Sequence, residues 1–246
     1  MIKLVENNKE AALVLDHLSV DFAPLLATKM FTEGFGVQQE FLQFYAAFND
    51  NGKLCAAFVK CNDRVFCLIE ILYDIDEILW FLEGFKDFKL FISSEYSYII
   101  NRDDHYICNL MMKPRTKNDS GICIEVPEIS CKDFTSIIMQ GKDKDAYIRF
   151  LLNNSHLHRH GYLRNHAEYK DNSAVSIASV FITNGYCYLC NVFTPELSRG
   201  NGYAASLINK ITQNDKEYHL ICNEEVSRLY EKCGFSTYAK WVEYLY

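Results

Sequence analysis

The stretch NVFTPELSRGNGYAASLINKI, Asn191 to Ile211, constrains this chain more than any other. A short apolar run ends at Pro195. Arg199, Gly200 and Gly202 follow, and then Ala204, Leu207, Ile208 and Ile211 recur at the spacing of one helix face. The order is strand, bare elbow, helix. A helix N-terminus presents backbone N–H groups with no internal partner, at the positive end of the helix dipole. Such an end holds anions wherever a ligand can reach it. Glycine at 200 and 202 withholds the Cβ that would keep a phosphate away. Ala204 keeps the first turn open, and Arg199 adds charge. A pyrophosphate could therefore rest on the amides of Gly200, Asn201, Gly202, Tyr203 and Ala204. A glycine turn that only connects two elements has the same spelling. Neither common nucleotide pattern is present: there is no third glycine of a dinucleotide fingerprint and no Gly-Lys-Ser/Thr of a P-loop.

What surrounds the elbow is a globular sequence. A chain of 246 residues allows one large domain or two small ones, and 49% hydrophobic against 23% charged residues is enough to bury a core. The net charge of −7 argues against a nucleic-acid partner, which needs a basic surface to neutralise phosphates. It tolerates cationic partners such as amines without selecting them. The N-terminus carries charge throughout and lacks the apolar stretch of a signal peptide. No run approaches the roughly 20 apolar residues of a membrane span. The ten cysteines form no compact framework and read as free thiols of a reducing cytoplasm. Cys187 and Cys190 have C-x-x-C spacing, but NGYCYLCNVF reads as a strand. Residues three apart on a strand diverge, which argues against a shared zinc or a redox pair.

The polar KPRTKNDSG, Lys113 to Gly121, is the best boundary and divides the chain into 1–120 and 121–246. In the first half, VQQEFLQFYAAF has apolar residues at helical spacing. Two apolar runs around Asn62-Asp63 make a hairpin. DIDEILWFLEGF is a helix capped by Asp74 and ending near Gly84, and FKLFISS is a short strand. The second half opens helically to about Asn153. Strands follow in YLRNHAEY, SAVSIASVFIT and YCYLCNVFT, the last two joined by an Asn184-Gly185 hairpin turn. After the elbow helix come a short strand, YHLIC, and a helix stopped by Gly234. TYAKWVEYLY alternates into a final strand.

The elbow and its surroundings resemble the acetyl-CoA-binding motif of the GNAT (Gcn5-related N-acetyltransferase) family, Arg/Gln-x-x-Gly-x-Gly/Ala. Arg199, Gly202 and Ala204 fall on its fixed positions, and Gly200 matches the common Arg-Gly-x-Gly form. VFTPEL resembles the family's central strand and its approach to the loop. NEEVSRLYEKCGF resembles the second motif through Asn223, Tyr230, Gly234 and Phe235. The resemblance implies an α/β (α+β) fold, a mixed, mostly antiparallel sheet flanked by helices. Upstream of Ser173 it is weak. The first half, with its helices and hairpin in a similar order, is expected to be a degenerate copy of the same fold, giving two tandem domains.

The resemblance also implies an activity: transfer of an acetyl group from acetyl-CoA, as co-substrate, to a primary amine, with no metal. Pantetheine would lie along the central-strand edge, here Asn191, Val192, Phe193 and Thr194, offering backbone groups as in strand addition. An amide near Val192 would meet the developing oxyanion. Tyr230 matches the tyrosine that protonates the departing thiolate; it also reads as a core aromatic. Asn223 matches an asparagine that places the cofactor; it also reads as a helix cap. The central strand holds no carboxylate, unlike members that keep a Glu there. Glu168 is the best candidate for a general base, beside a water relay or a base from the first half. His156, His158, His160 and His166 invite a metal reading, with His158 and His160 alternating on one strand face, or line a polar loop or acceptor pocket. A non-catalytic acyl-CoA-binding module of the same fold is the rival reading. Acceptor identity and oligomeric state have no signal in the sequence.

Overall fold

The computed structural model describes residues 1–37, 39–115, 126–183 and 186–246. The expected Asn184-Gly185 turn, and Thr116 to Gly121 of the expected boundary, lie outside the described residues. The chain divides into two compact units. The first comprises Met1–Leu110, Ile221–Glu224 and Thr237–Tyr246; the second comprises Met111–Leu220 and Glu225–Ser236.

The first unit begins β1 (Ile2–Leu4), α1 (Asn8–His17), α2 (Phe22–Phe35), β2 (Leu42–Phe48), β3 (Leu54–Cys61) and β4 (Arg64–Ile69). Then come α3 (Ile75–Glu83), β5 (Lys89–Ser93) and β6 (His105–Lys113). β1–β4 pair antiparallel in sequence order, and β5 pairs parallel to β4. The helix expected over VQQEFLQFYAAF is instead strand β2. Leu42, Phe44 and Ala46 are buried at period two while Gln43 and Tyr45 are half-covered, and apolar residues on both faces imitate helical spacing. The hairpin stands as expected: Cys61 pairs with Arg64 across Asn62-Asp63, with Asn62 at φ +54°. Asp74 caps α3 by accepting from Glu77 N–H at 3.0 Å. Ile78 and Leu82 of α3 pack into one core with Phe58, Leu90 and Ile92.

The second unit holds α4 (Cys131–Ile138), α5 (Lys144–Arg159), β7 (Leu163–Lys170), β8 (Ser173–Ile182) and β9 (Tyr186–Phe193). It continues with α6 (Tyr203–Ile211), the first four residues of β10 (Glu217–Asn223), and α7 (Ser227–Lys232). β11 (Ser236–Leu245) then pairs antiparallel with β5 in the first unit's sheet. β7, β8 and β9 pair antiparallel and β10 joins β9 parallel. The opening helical stretch is broken: Gly141 at φ +78° ends the first piece, and Asp143 Oδ1 caps the second from Ala146 N–H at 2.8 Å. α5 then runs past Asn153 to Arg159, because Asn154 and Leu157 face the core. His156 and His158 therefore lie on a helix and His160 at its end, so the shared strand face expected for His158 and His160 does not exist. Among the described residues, no group of three or more His, Cys, Asp or Glu side chains is disposed to hold a metal ion.

The two units repeat one plan. In the first, a strand, two helices, three antiparallel strands, a helix and a parallel strand follow in order. In the second, an isolated bridge from Glu128 to His166 stands where β1 stands. α4, α5, β7, β8, β9, α6 and β10 then follow with the same pairings. Among the described residues, the cysteines are free thiols and no helix is long and apolar enough to cross a membrane.

Candidate active site

The elbow after β9 is open. Gly200 and Gly202 both sit at φ +77°, which excludes most side chains, and a Cβ on either would meet nothing within 4 Å. Gly202 is the N-cap of α6, so no side chain closes that end, and the first turn carries no acidic residue. The first bond across the cap runs from Ser206 N–H to the Gly202 carbonyl at 2.9 Å. The amides of Tyr203, Ala204 and Ala205 precede it and have no helical partner. Asn201 folds over the turn, donating to the carbonyls of Ser198 and Arg199 at 3.2 and 3.1 Å. Arg199 is exposed, and one N–H of its guanidinium ties back to the Thr194 carbonyl at 3.1 Å. α6 is anchored by Leu207, Ile208 and Ile211, all buried as the helix-face pattern requires.

The first unit supplies the contrast at the same point of its plan. The N-terminus of α3 is stoppered by Asp74 and followed by Asp76 and Glu77. The Glu77 carboxylate is itself taken by the Met1 ammonium and the Ile2 N–H, each at 2.9 Å. An anion finds amides at α6 and carboxylates at α3.

β9 is irregular where chemistry was expected. Its pairing with β8 jumps from Cys190↔Ser179 to Phe193↔Ile177, so Asn191 and Val192 face Ala178 alone. This is a β-bulge, and Asn191 takes φ +52° in it. On the other edge, pairing with β10 ends at His219 opposite Tyr188. Among the described residues, Leu189–Phe193 therefore have no ladder partner in β10. Thr194 shares a hydroxyl contact of 2.9 Å with Ser176. The counterpart strand β4 pairs with β3 without interruption.

Tyr230 lies on α7, is 8% exposed, and meets Phe235 edge-on with ring centroids 6.0 Å apart. Cys233, the C-cap of that helix, contacts the Ala205 carbonyl in the first turn of α6 at 3.8 Å, tying α7 to the elbow. Asn223 ends β10, is exposed, and belongs to the first unit; its Oδ1 accepts a weak bond from Cys108 Sγ at 3.8 Å. It directly precedes a 3-10 turn, Glu224–Val226, and α7 starts after Val226, which makes no side-chain cap. Glu168 is not a free carboxylate. Lys210 Nζ grips both of its oxygens at 2.7 Å and Ser206 Oγ donates at 3.2 Å. Burial pushes the Cys190 thiol up to about 12, so it offers no thiolate nucleophile beside the bulge.

A buried polar chain behind the bulge has no counterpart in the motif reading. Asn154, Asn165 and Ser179 link α5, β7 and β8 to Asn191. Asn165 did carry a signal: in YLRNHAEY it occupies the inward register between Leu163 and Ala167.

Residues 125–235 match the sequence profile of the family described as Acetyltransferase (GNAT) family. No curated protein matches the chain. Among solved structures, an acetyltransferase from the GNAT family of Colwellia psychrerythraea superposes with a TM-score of 0.60. It is 15% identical, covering 100% of this chain and 99% of that one. A tandem GNAT protein from the clavulanic acid biosynthesis pathway gives a TM-score of 0.59 at 11% identity, covering 99% and 97%. A GCN5-related N-acetyltransferase from Sphaerobacter thermophilus gives 0.57 at 11%, covering 88% and 84%. These likenesses establish the fold.

Proposed function

Since the chain matches the GNAT acetyltransferase family over residues 125–235, we propose that it transfers the acetyl group of acetyl-CoA to a primary amine by direct attack on the thioester. The observation that carries this is the elbow: uncapped amides, two open glycines and no acidic side chain, at the end of a bulged strand whose last residues have no ladder partner in β10 among the described residues. When bound there, acetyl-CoA supplies an acyl group already activated as a thioester, so the protein's work is placement and charge stabilisation.

The amides of Tyr203, Ala204 and Ala205, with Arg199, would hold the diphosphate. Leu189–Phe193 would receive the pantetheine amides along the unpaired edge. The Val192 N–H, taken out of the regular ladder by the bulge, would donate to the acyl oxygen. Tyr230 would return a proton to the departing sulfur. Glu168, held by Lys210 and Ser206, supports α6 rather than abstracting a proton; the amine reaches the site neutral or loses its proton to water. Asn223 is kept as a contact to the cofactor, on the motif alone.

Two measurements test the reading. Titration calorimetry with coenzyme A should show binding, and thiol release from acetyl-CoA should appear with at least one member of a primary-amine panel. Tyr230→Phe should lower kcat by about a hundredfold or more, the low end of what a general acid supplies, with coenzyme A affinity within twofold of the native chain. Unchanged turnover would remove Tyr230 from the chemistry. Binding without thiol release across the panel would make the chain an acyl-CoA-binding module.

A further inference from the structure

We propose that the side-chain oxygen of Asn191 receives the acceptor amine, aimed by a buried hydrogen-bonded chain that runs from α5 through β7 and β8 to the bulge. This rests on the acyl-transfer reading above. Asn191 is an exposed residue in the left-handed region, a backbone that asparagine tolerates better than most residues but that still needs its surroundings to hold it.

The surroundings do so. Asn165 Nδ2 donates to Asn154 Oδ1 at 2.6 Å, and Asn154 Nδ2 returns a bond to Asn165 Oδ1 at 3.3 Å. Ser179 Oγ donates to the same Asn165 oxygen at 2.8 Å, and Asn191 Nδ2 donates to Ser179 Oγ at 3.4 Å. Asn154 is 2% exposed and Asn165 and Ser179 are 0% exposed. Breaking one link would strand buried polar atoms without partners, so the chain holds as a unit.

Its direction matters. A serine hydroxyl has one proton, and that of Ser179 is given to Asn165, so Ser179 can only accept from Asn191. The NH2 of Asn191 is thereby turned inward. Its oxygen diverges from that nitrogen at a trigonal carbon and faces away from Ser179. The next residue is Val192, about 3.8 Å on along the chain, whose N–H is assigned to the acyl oxygen. A hydrogen bond to Asn191 Oδ1 therefore sets an amine beside the carbon it attacks. An amide oxygen accepts but does not take up the proton, so Asn191 binds and orients while Ser179, Asn165 and Asn154 are positioning residues.

The test combines calorimetry with coenzyme A and steady-state kinetics with acetyl-CoA and four primary amines: spermidine, kanamycin, ethanolamine and a lysine-containing peptide. Asn191→Gly keeps the positive φ and removes only the amide. It should raise the amine KM about tenfold or more, the equivalent of one hydrogen bond to a charged group, with coenzyme A affinity within twofold of native. Asn191→Asp restores an oxygen and should recover most of that KM for a protonated amine. Ser179→Ala should raise the amine KM by a smaller factor, again without touching coenzyme A. Equal amine KM in native and Gly forms, with coenzyme A binding intact, overturns this proposal and leaves acyl transfer standing. A native chain that binds no coenzyme A, or releases no thiol with any of the four amines, defeats the acyl-transfer reading and this one with it.

Discussion

Gly202 combines two demands, a φ of +77° and a bare surface, that a substitution can separate. Alanine there forces an L-residue into the left-handed region at about 1–2 kcal/mol and puts a methyl group beside the amides of α6. Gly52 offers a control: φ +74°, open space, and a turn remote from the elbow in sequence. Both Gly202→Ala and Gly52→Ala should lower stability to chemical denaturation by about 1 kcal/mol. Only Gly202→Ala should weaken coenzyme A, by about tenfold or more, since a diphosphate oxygen would lose close approach to the backbone. Equal affinities in the two variants would dismiss the elbow as the anion site. Two histidines set a pH response. Burial holds His166 below the ordinary imidazole value of 6.5 against the pull of Glu128, and burial holds His219 below it against Glu217. The folded chain thus keeps both neutral where the unfolded chain is already taking up protons. Stability is then full above about pH 6.5 and falls as the pH drops below it, until the folded-state values are reached. The denaturation midpoint should be flat from pH 8 to 7 and decline toward pH 5. His166→Gln with His219→Gln should flatten that decline, and an unaltered slope would assign it to other groups.

At the scale of elements, α3 and α6 occupy the same place in two copies of one plan and end differently. One is sealed by Asp74 with acids in its first turn; the other is left open by glycine. β4 pairs with β3 without a break, whereas β9 bulges against β8. Calorimetry should therefore find one coenzyme A per chain, and two equivalent sites would show that carboxylates at the α3 end do not repel the diphosphate. The contrast also explains what could be read in advance. Gly200, Gly202 and the Leu207–Ile211 face announced the elbow because backbone geometry and helical period leave direct traces in residue type. Asp74 and Asn62-Asp63 did likewise. β2 misled because Leu42 to Phe48 is covered on both faces, which erases the period that tells strand from helix. The bulge at Asn191 left no trace, because it is a matter of register against Ile177–Ser179 of β8, which are distant in sequence. The ion pair of Glu168 could not be read either, because its partner Lys210 lies on another element, distant in sequence.

For the whole molecule, the path of the chain matters as much as the number of copies. The first unit is not complete at residue 120: it takes back Ile221–Glu224 and Thr237–Tyr246. β11 covers the edge of β5 from Trp241↔Ser93 to Leu245↔Lys89. Trp241 is 1% exposed and donates to Asp21 Oδ2 at 2.6 Å; Val242 and Tyr244 belong to the core around Phe58 and Ile92. A large aromatic buries about 150–250 Å², which at about 25 cal/mol per Å² is roughly 4–6 kcal/mol each for Trp241 and Tyr244. A domain's whole net stability is only about 5–15 kcal/mol. A fragment of residues 1–120 should accordingly fail to fold by itself, with an uncovered β5 edge prone to pair with other chains. It should bind hydrophobic dye, lack a cooperative thermal transition and pellet on concentration. Supplying residues 221–246 on a flexible linker should restore a sharp transition, because β5 regains its partner and Asp21 its indole. A cooperative melt from 1–120 alone would mean that β1–β5 hold a sufficient core without β11.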